Sequence, residues 1–178
     1  GGATAIAISS GTIGSISNNA SIDATTAINN NSGTITSVSN SGTMTGSSYA
    51  IQLAGTARIT SISNSGSISG GSNTVRLTAG TIGTFSNSGQ VTTGASAAAI
   101  YIEGLTATIE ELKNQGTITG TTGLLISGRL GTLTNSGLLH GTASGAGSGV
   151  ITAQANASIS SIVNTGTIQG NITIARAC

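Results

Sequence analysis

Apolar and polar positions recur along this chain in one fixed order. An aliphatic residue is followed three places later by a second, then after two more by an asparagine, after two more by a glycine, and finally by another aliphatic residue. The string is clearest in Ile59-Thr-Ser-Ile62-Ser-Asn64-Ser-Gly66-Ser-Ile68 and in Ile35-Thr-Ser-Val38-Ser-Asn40-Ser-Gly42-Thr-Met44. Further copies begin at Ile13, Ile82, Ile109, Leu130 and Ile159, the one at Ile13 with Ala20 at the place of the glycine. Successive copies are 22, 24, 23, 27, 21 and 29 residues apart. Repeats of this length that cannot bury their apolar residues alone do so by stacking on their neighbours, so the pattern predicts a solenoid. The variation in length falls mainly between the glycine that closes each copy and the next apolar run, from Thr121-Thr122 to the stretch 142–149. A loop leaving one corner disturbs no stacking.

Between copies, apolar and polar residues alternate with period two in Tyr49-Ala-Ile51-Gln-Leu53, Asn73-Thr-Val75-Arg-Leu77 and Ala99-Ile100-Tyr-Ile102, which reads as strand. The expected fold is therefore all-β: a parallel β-helix of about seven coils of roughly 24 residues, with three short strands in each. Right-handed connection is the general rule for parallel strands. In the unit from Asn73 to Gly94, Val75, Leu77, Ile82, Phe85 and Val91 are expected to point inward, together with Asn87. At about 4.8 Å per layer the rod would be about 34 Å long. The asparagines Asn18, Asn40, Asn64, Asn87, Asn114, Asn135 and Asn164 then stack at one position in successive coils. A buried amide without partners is costly, so these residues are expected to form a structural ladder, each donating to the amide oxygen of the next and to turn carbonyls.

Composition supports strand over helix: 28 glycines and 5% charged residues accompany long runs of Ser, Thr and Asn, all poor in helix interiors. With two Tyr, one Phe and no Trp or Pro, the core must be thin and repetitive. The single cysteine, Cys178, excludes an intramolecular disulfide. A net charge of +1, with cations scattered at Arg58, Arg76, Lys113, Arg129 and Arg176, is too dilute for nucleic acid. No apolar run approaches the about 20 residues of a membrane span.

Asn40 to Gly46, Asn64 to Gly70 and Asn114 to Gly120 carry strings of the Asn-Ser-Gly-Thr-Ile-Thr-Gly type. In these the chain, from Ile6 to Ile174, resembles the passenger domains of Gram-negative autotransporters and related type V secreted surface proteins. The resemblance implies a right-handed parallel β-helix, export to the cell surface or medium, and a stalk or adhesin role. Neither a secretory signal nor a membrane barrel is read in these residues, so those parts are expected to lie outside them.

Catalytic chemistry is sparsely provided. The acidic residues are Asp23, Glu103, Glu110 and Glu111, with Glu110 and Glu111 expected near each other or Lys113 on a solvated face. His140 has no clustered ligands, and Gly145-Ala-Gly-Ser148-Gly149 has the wrong order for a nucleophile elbow. No catalytic residue, cofactor or metal is expected. What remains is surface. The third strand should present Thr43 and Thr45, Ser67 and Ser69, and Thr117 and Thr119 as a hydroxyl column. In other coils Gln90, Leu138, His140 and Gln169 interrupt it. The first strand should present Gln52, Arg76, Tyr101, Leu125 and Ile151, with Tyr101 and Leu125 as an apolar patch that either contacts a partner or lies under the 141–149 loop. Expected partners are glycans or host and sister-cell surfaces. The strand-like, uncapped segments Ile6-Ala-Ile8 and Ile172-Thr-Ile174 raise the alternative of end-to-end stacking into a filament. A carbohydrate-active enzyme is the third reading.

Overall fold

A computed structural model describes residues 3–94, 97–143 and 149–175. Expectations placed on Arg176, Cys178 and Gly145 to Ser148 lie outside these residues. The first turn of the solenoid contains β1 (Thr4–Ile8) and β2 (Thr12–Asn18). The next strand, β3 (Ser21–Asn30), closes that turn and opens the second, which continues in β4 (Thr34–Asn40). In the same way β5 (Thr43–Leu53) joins the second turn to the third, followed by β6 (Arg58–Asn64) and β7 (Ser67–Gly70). Each later turn has three separate strands. They are β8 (Asn73–Leu77), β9 (Thr81–Asn87) and β10 (Gln90–Thr93), then β11 (Ala98–Ile102), β12 (Thr108–Asn114) and β13 (Thr117–Gly120). The sixth turn holds β14 (Thr122–Ile126), β15 (Arg129–Asn135) and β16 (Leu138–Gly141), and the seventh β17 (Ile151–Ala153), β18 (Ser158–Asn164) and β19 (Thr167–Gln169). The last strand, β20 (Ile172–Ile174), lies on β17.

All these strands pair in parallel with the equivalent strand of the next turn, so backbone hydrogen bonds run along the rod. Second strands form a 7-stranded sheet, while first and third strands share a 13-stranded sheet because β3 and β5 run through the corner between them. At later corners Gly71 and Gly94 break that continuity.

Columns of large apolar side chains fill the interior. One runs Ile35, Ile59, Ile82, Ile109 and Leu130, a second Val38, Ile62, Phe85, Leu112 and Leu133, and both are fully buried. On the third strand Met44, Ile68, Val91, Ile118 and Leu139 stack likewise. The first strand adds columns through Ile51, Val75 and Ile100 and through Leu53, Leu77 and Ile102. This is the inward set that the spacing predicts for the Asn73 to Gly94 unit.

The first strand of the seventh turn departs from expectation. Ile151 pairs with Leu124 and is buried, and Thr152 takes the outward place beside Leu125. The long insertion that precedes β17 carries no repeat string, so alternation could not be phased across it.

Close stacking explains the glycine that follows six of the seven ladder asparagines, Ala20 taking its place after Asn18 in the first turn. A Cβ on Gly66 would lie 2.1 Å from the carbonyl oxygen of Gly42, and one on Gly89 2.1 Å from that of Gly66. The turn before β9 needs Gly80 for a second reason, its positive φ of 85°. Gly14, on the outer face of β2, meets nothing within 4 Å. Replacing Gly66 with alanine should therefore cost about 1–3 kcal/mol through overpacking, whereas Gly14→Ala should leave stability nearly unchanged. Denaturant unfolding of the two variants checks this, and equal effects would contradict it.

Candidate functional site

The inward asparagines form one continuous chain of amides. Asn18 Nδ2 donates to Asn40 Oδ1 at 2.7 Å, and the same bond joins Asn40 to Asn64, Asn64 to Asn87 and Asn87 to Asn114, each at 2.8 Å. Asn114 to Asn135 and Asn135 to Asn164 follow at 2.7 Å. The Nδ2 of Asn40, Asn64, Asn87, Asn114 and Asn135 also reaches the first carbonyl of the next turn's third strand, as from Asn64 to Gln90 at 3.0 Å, and its own glycine carbonyl, as from Asn64 to Gly66 at 3.3 Å. Every amide-to-amide donation runs toward the C-terminal turn. The amides from Asn40 to Asn135 are almost wholly buried, while Asn164 is exposed.

A second buried asparagine lies outside the repeated string. Asn30 occupies an otherwise aliphatic column between Ile8 and Leu53. It is satisfied by folding onto the next corner: Nδ2 donates to the Gly33 carbonyl and Oδ1 accepts from the Gly33 N–H, both at 2.9 Å. Only the turn glycine three places later signals this role in the sequence.

On the third-strand face, the hydroxyl residues stack in register. Thr43 pairs with Ser67, Ser67 with Gln90, and Gln90 with Thr117; Thr45 pairs with Ser69, Ser69 with Thr92, and Thr92 with Thr119. The Ser69 hydroxyl donates to Thr45 Oγ1 at 3.3 Å. Thr43, Ser67, Gln90 and Thr117 also form one wall of an open trough of about 620 Å³ that follows the rod along the Ser-Gly corners. Leu138 and His140 continue the two columns and are half-buried.

The first-strand face differs in chemistry. Gln52, Arg76, Tyr101, Leu125 and Thr152 stand side by side, with Tyr101 directly paired to Leu125. Both are half-buried. They line a cleft of about 460 Å³ with Gly71, Ser72, Asn73 and Thr122. Asn73 Oδ1 accepts the Ala98 N–H at 3.1 Å, which fixes the amide at the cleft. Beside it Arg76 is held three ways. Its Nε donates to Glu103 Oε2 at 2.6 Å, a terminal nitrogen donates to the Tyr49 hydroxyl at 3.0 Å, and the guanidinium carbon stands 5.1 Å from the Tyr49 ring centroid. The bond to Glu103 is the main reason that the Arg76 pKa is raised above its ordinary value, against a smaller opposing effect of burial.

The remaining carboxylates are engaged separately. Glu111 pairs with Lys113 at 2.9 Å and accepts from the Thr84 hydroxyl at 3.4 Å. Glu110 turns the other way and reaches Arg58, two turns distant, at 3.7 Å across the bare backbone of Gly83. Asp23 stands exposed at the N-terminal end of the hydroxyl face. Among the described residues, no three His, Cys, Asp and Glu side chains gather as metal ligands would, and no helix is long and apolar enough to cross a membrane.

In comparisons with known proteins the chain matches no family model, no curated protein and no solved structure.

Ladder position sets the cost of losing an amide. Replacing Asn87 with alanine removes the acceptor of Asn64 and the donor to Asn114 in a dry interior, at about 1–3 kcal/mol for each group left unpaired. Asn164 has only one ladder neighbour and is open to water. Asn164→Ala should be the milder change in denaturant unfolding, and a reversed order would contradict a ladder that stabilises the interior.

Proposed function

We propose that this chain is a non-enzymatic surface rod, of the exported passenger kind that its repeats resemble, which attaches a Gram-negative cell to glycans, host cells or sister cells. The observation that carries this reading is the in-register third-strand face, where Thr43, Thr45, Ser67, Ser69, Thr117 and Thr119 present hydroxyls in two stacked columns, with Gln90 and Thr92 in the turn between Ser67, Ser69 and Thr117, Thr119. A stiff array at about 4.8 Å spacing turns contacts that are individually weak into useful avidity, because once one contact forms the others become intramolecular. Three of the four carboxylates are drawn into ion pairs with three different cations, which favours a structural role for them over paired acid and base catalysis. The same pairing leaves no dense basic stripe for nucleic acid.

End-to-end stacking is a second reading, favoured by the polarity of the ladder. Asn164 Nδ2 lacks an eighth amide to receive it among the described residues, and Ile162, Val163, Ile172 and Ile174 are exposed beside it. Against this, β20 already covers the first-strand slot of the seventh turn, the place that β1 of an incoming copy would need. Stacking therefore requires Ile172–Ile174 to be displaced.

Cells or beads displaying the chain should adhere to glycan-coated surfaces far better than the dissolved chain binds them. That adhesion should survive Asp23→Asn, Glu103→Gln and Glu111→Gln. Glycan cleavage that disappears in those variants would replace this reading with an enzymatic one. Electron microscopy of the dissolved chain separates the second reading: filaments repeating at about 34 Å would favour stacking, and dispersed rods would remove it.

A further inference from the structure

We infer that the cleft at Tyr101 and Leu125 is a binding site for a neutral pyranose sugar, an inference that rests on the attachment role and specifies its ligand. Most outward positions of this rod are polar and the apolar ones elsewhere, such as Leu138 and Val163, stand singly in their columns, whereas Tyr101 and Leu125 set an aromatic ring and an aliphatic side chain side by side. They do so where the corner beside them is built of small residues. Gly71, Ala97 and Ala98 line the depression, and a Cβ on Gly71 would collide with the Ser47 carbonyl at 2.0 Å, so stacking itself keeps the hollow open.

The lining decides the ligand class. Tyr101 and Leu125 give an apolar floor, and Ser72, Asn73 and Thr122 give a rim of hydroxyl and amide groups. An apolar peptide side chain would cover the floor but strip water from the rim without replacing its hydrogen bonds. A pyranose matches both parts. Its C–H face lies on the electron-rich face of an aromatic ring, and its equatorial hydroxyls meet the rim. The volume of about 460 Å³ falls within the range of small-ligand sites.

Charge excludes the acidic sugars as the preferred class. Among the described residues no charged one lines the cleft. The nearest cation on this face, Arg76, is paired with Glu103 and bonded to the Tyr49 hydroxyl, so its charge is balanced within the protein. A sugar carboxylate would have to break that pairing to gain a partner. A shallow floor of two side chains holds a sugar weakly, with millimolar dissociation constants as the expected scale, and display in many copies supplies the rest.

The experiment is a titration of the isotope-labelled 178-residue chain, followed by NMR, with methyl glucoside, methyl galactoside, methyl mannoside, N-acetylglucosamine and sialic acid. At least one neutral sugar should shift the resonances of Tyr101, Leu125, Asn73 and Thr122, and sialic acid should shift them less. Tyr101→Thr should weaken that binding about tenfold or more, while Tyr101→Phe, which keeps the ring, should retain it. The outward position of Tyr101 leaves the interior columns intact, and an unchanged spectrum for the rest of the rod verifies this. The inference is overturned by the absence of any shift at the cleft, by equal binding in Tyr101→Thr, or by preference for sialic acid. Adhesion of displayed Tyr101→Thr separates the two levels. Attachment that persists without sugar binding at the cleft removes this site and leaves the attachment role, whereas a wild-type chain that binds sugar here yet adheres to nothing removes the role and leaves the site.

Discussion

Every other feature of this rod depends on the requirement that each turn lie in register on the one before it, with the buried amide column as the side-chain contact that enforces that register. Apolar columns alone would not. On the second strand, aliphatic residues recur at Ile59 and Ile62, and the columns above and below hold Val38, Phe85, Ile35 and Ile82, all interchangeable to a hydrophobic interior. A slip of three residues would still set one aliphatic residue of this strand over another, as Ile62 over Ile35. The same slip would take Asn64 out of line with Asn40 and Asn87 and orphan the buried amides of both. Directional hydrogen bonds thus supply the specificity that the thin core lacks.

Close stacking then dictates what the rest of the sequence can be. Carbonyl oxygens of one turn sit where the Cβ of the next glycine would be, which explains the glycine content and the absence of bulk at the Ser-Gly corners. Outward positions are free of such constraint and carry the hydroxyl columns. Length varies at the corner between third and first strands, because a bulge there disturbs no layer. It is at this corner, between Gly71–Asn73 and Thr121–Thr122, that the cleft beside Tyr101 and Leu125 opens. A rigid scaffold with one permissive edge concentrates chemical variety there, as loops do on other folds.

The fold was legible because its information is repeated. Seven copies of one string report the inward columns, the Asn ladder and the register of the hydroxyl face, and an error in one copy is corrected by the others. Features that occur once were harder to read. Ile151 was given the outward position that Thr152 holds, since the insertion before β17 separates that strand from any phased neighbour. Asn30 was missed because its partner is a local turn and no second copy exists. Tyr49, Arg76 and Glu103 form one cluster although no linear motif joins them. The signal was present in their equal spacing of 27 residues, about one turn of the solenoid. Glu110 could have been expected near Glu111 or Lys113; the bend between the inward Ile109 and Leu112 sends it instead toward Arg58 across Gly83. The adjacency of Tyr101 and Leu125 was readable from alternation alone, whereas the hollow beside them needed the corner geometry of three turns.

Hydrogen exchange of the asparagine side-chain amides, resolved by NMR in the intact chain, tests the stacked-register account most directly. The account predicts strong protection of the Nδ2 protons of Asn40, Asn64, Asn87 and Asn114, weaker protection at the exposed Asn164, and none at Asn19 on its exposed corner. Ladder amides that exchange as fast as Asn19 would contradict it, because a dry column of hydrogen-bonded amides could not then hold the turns in register.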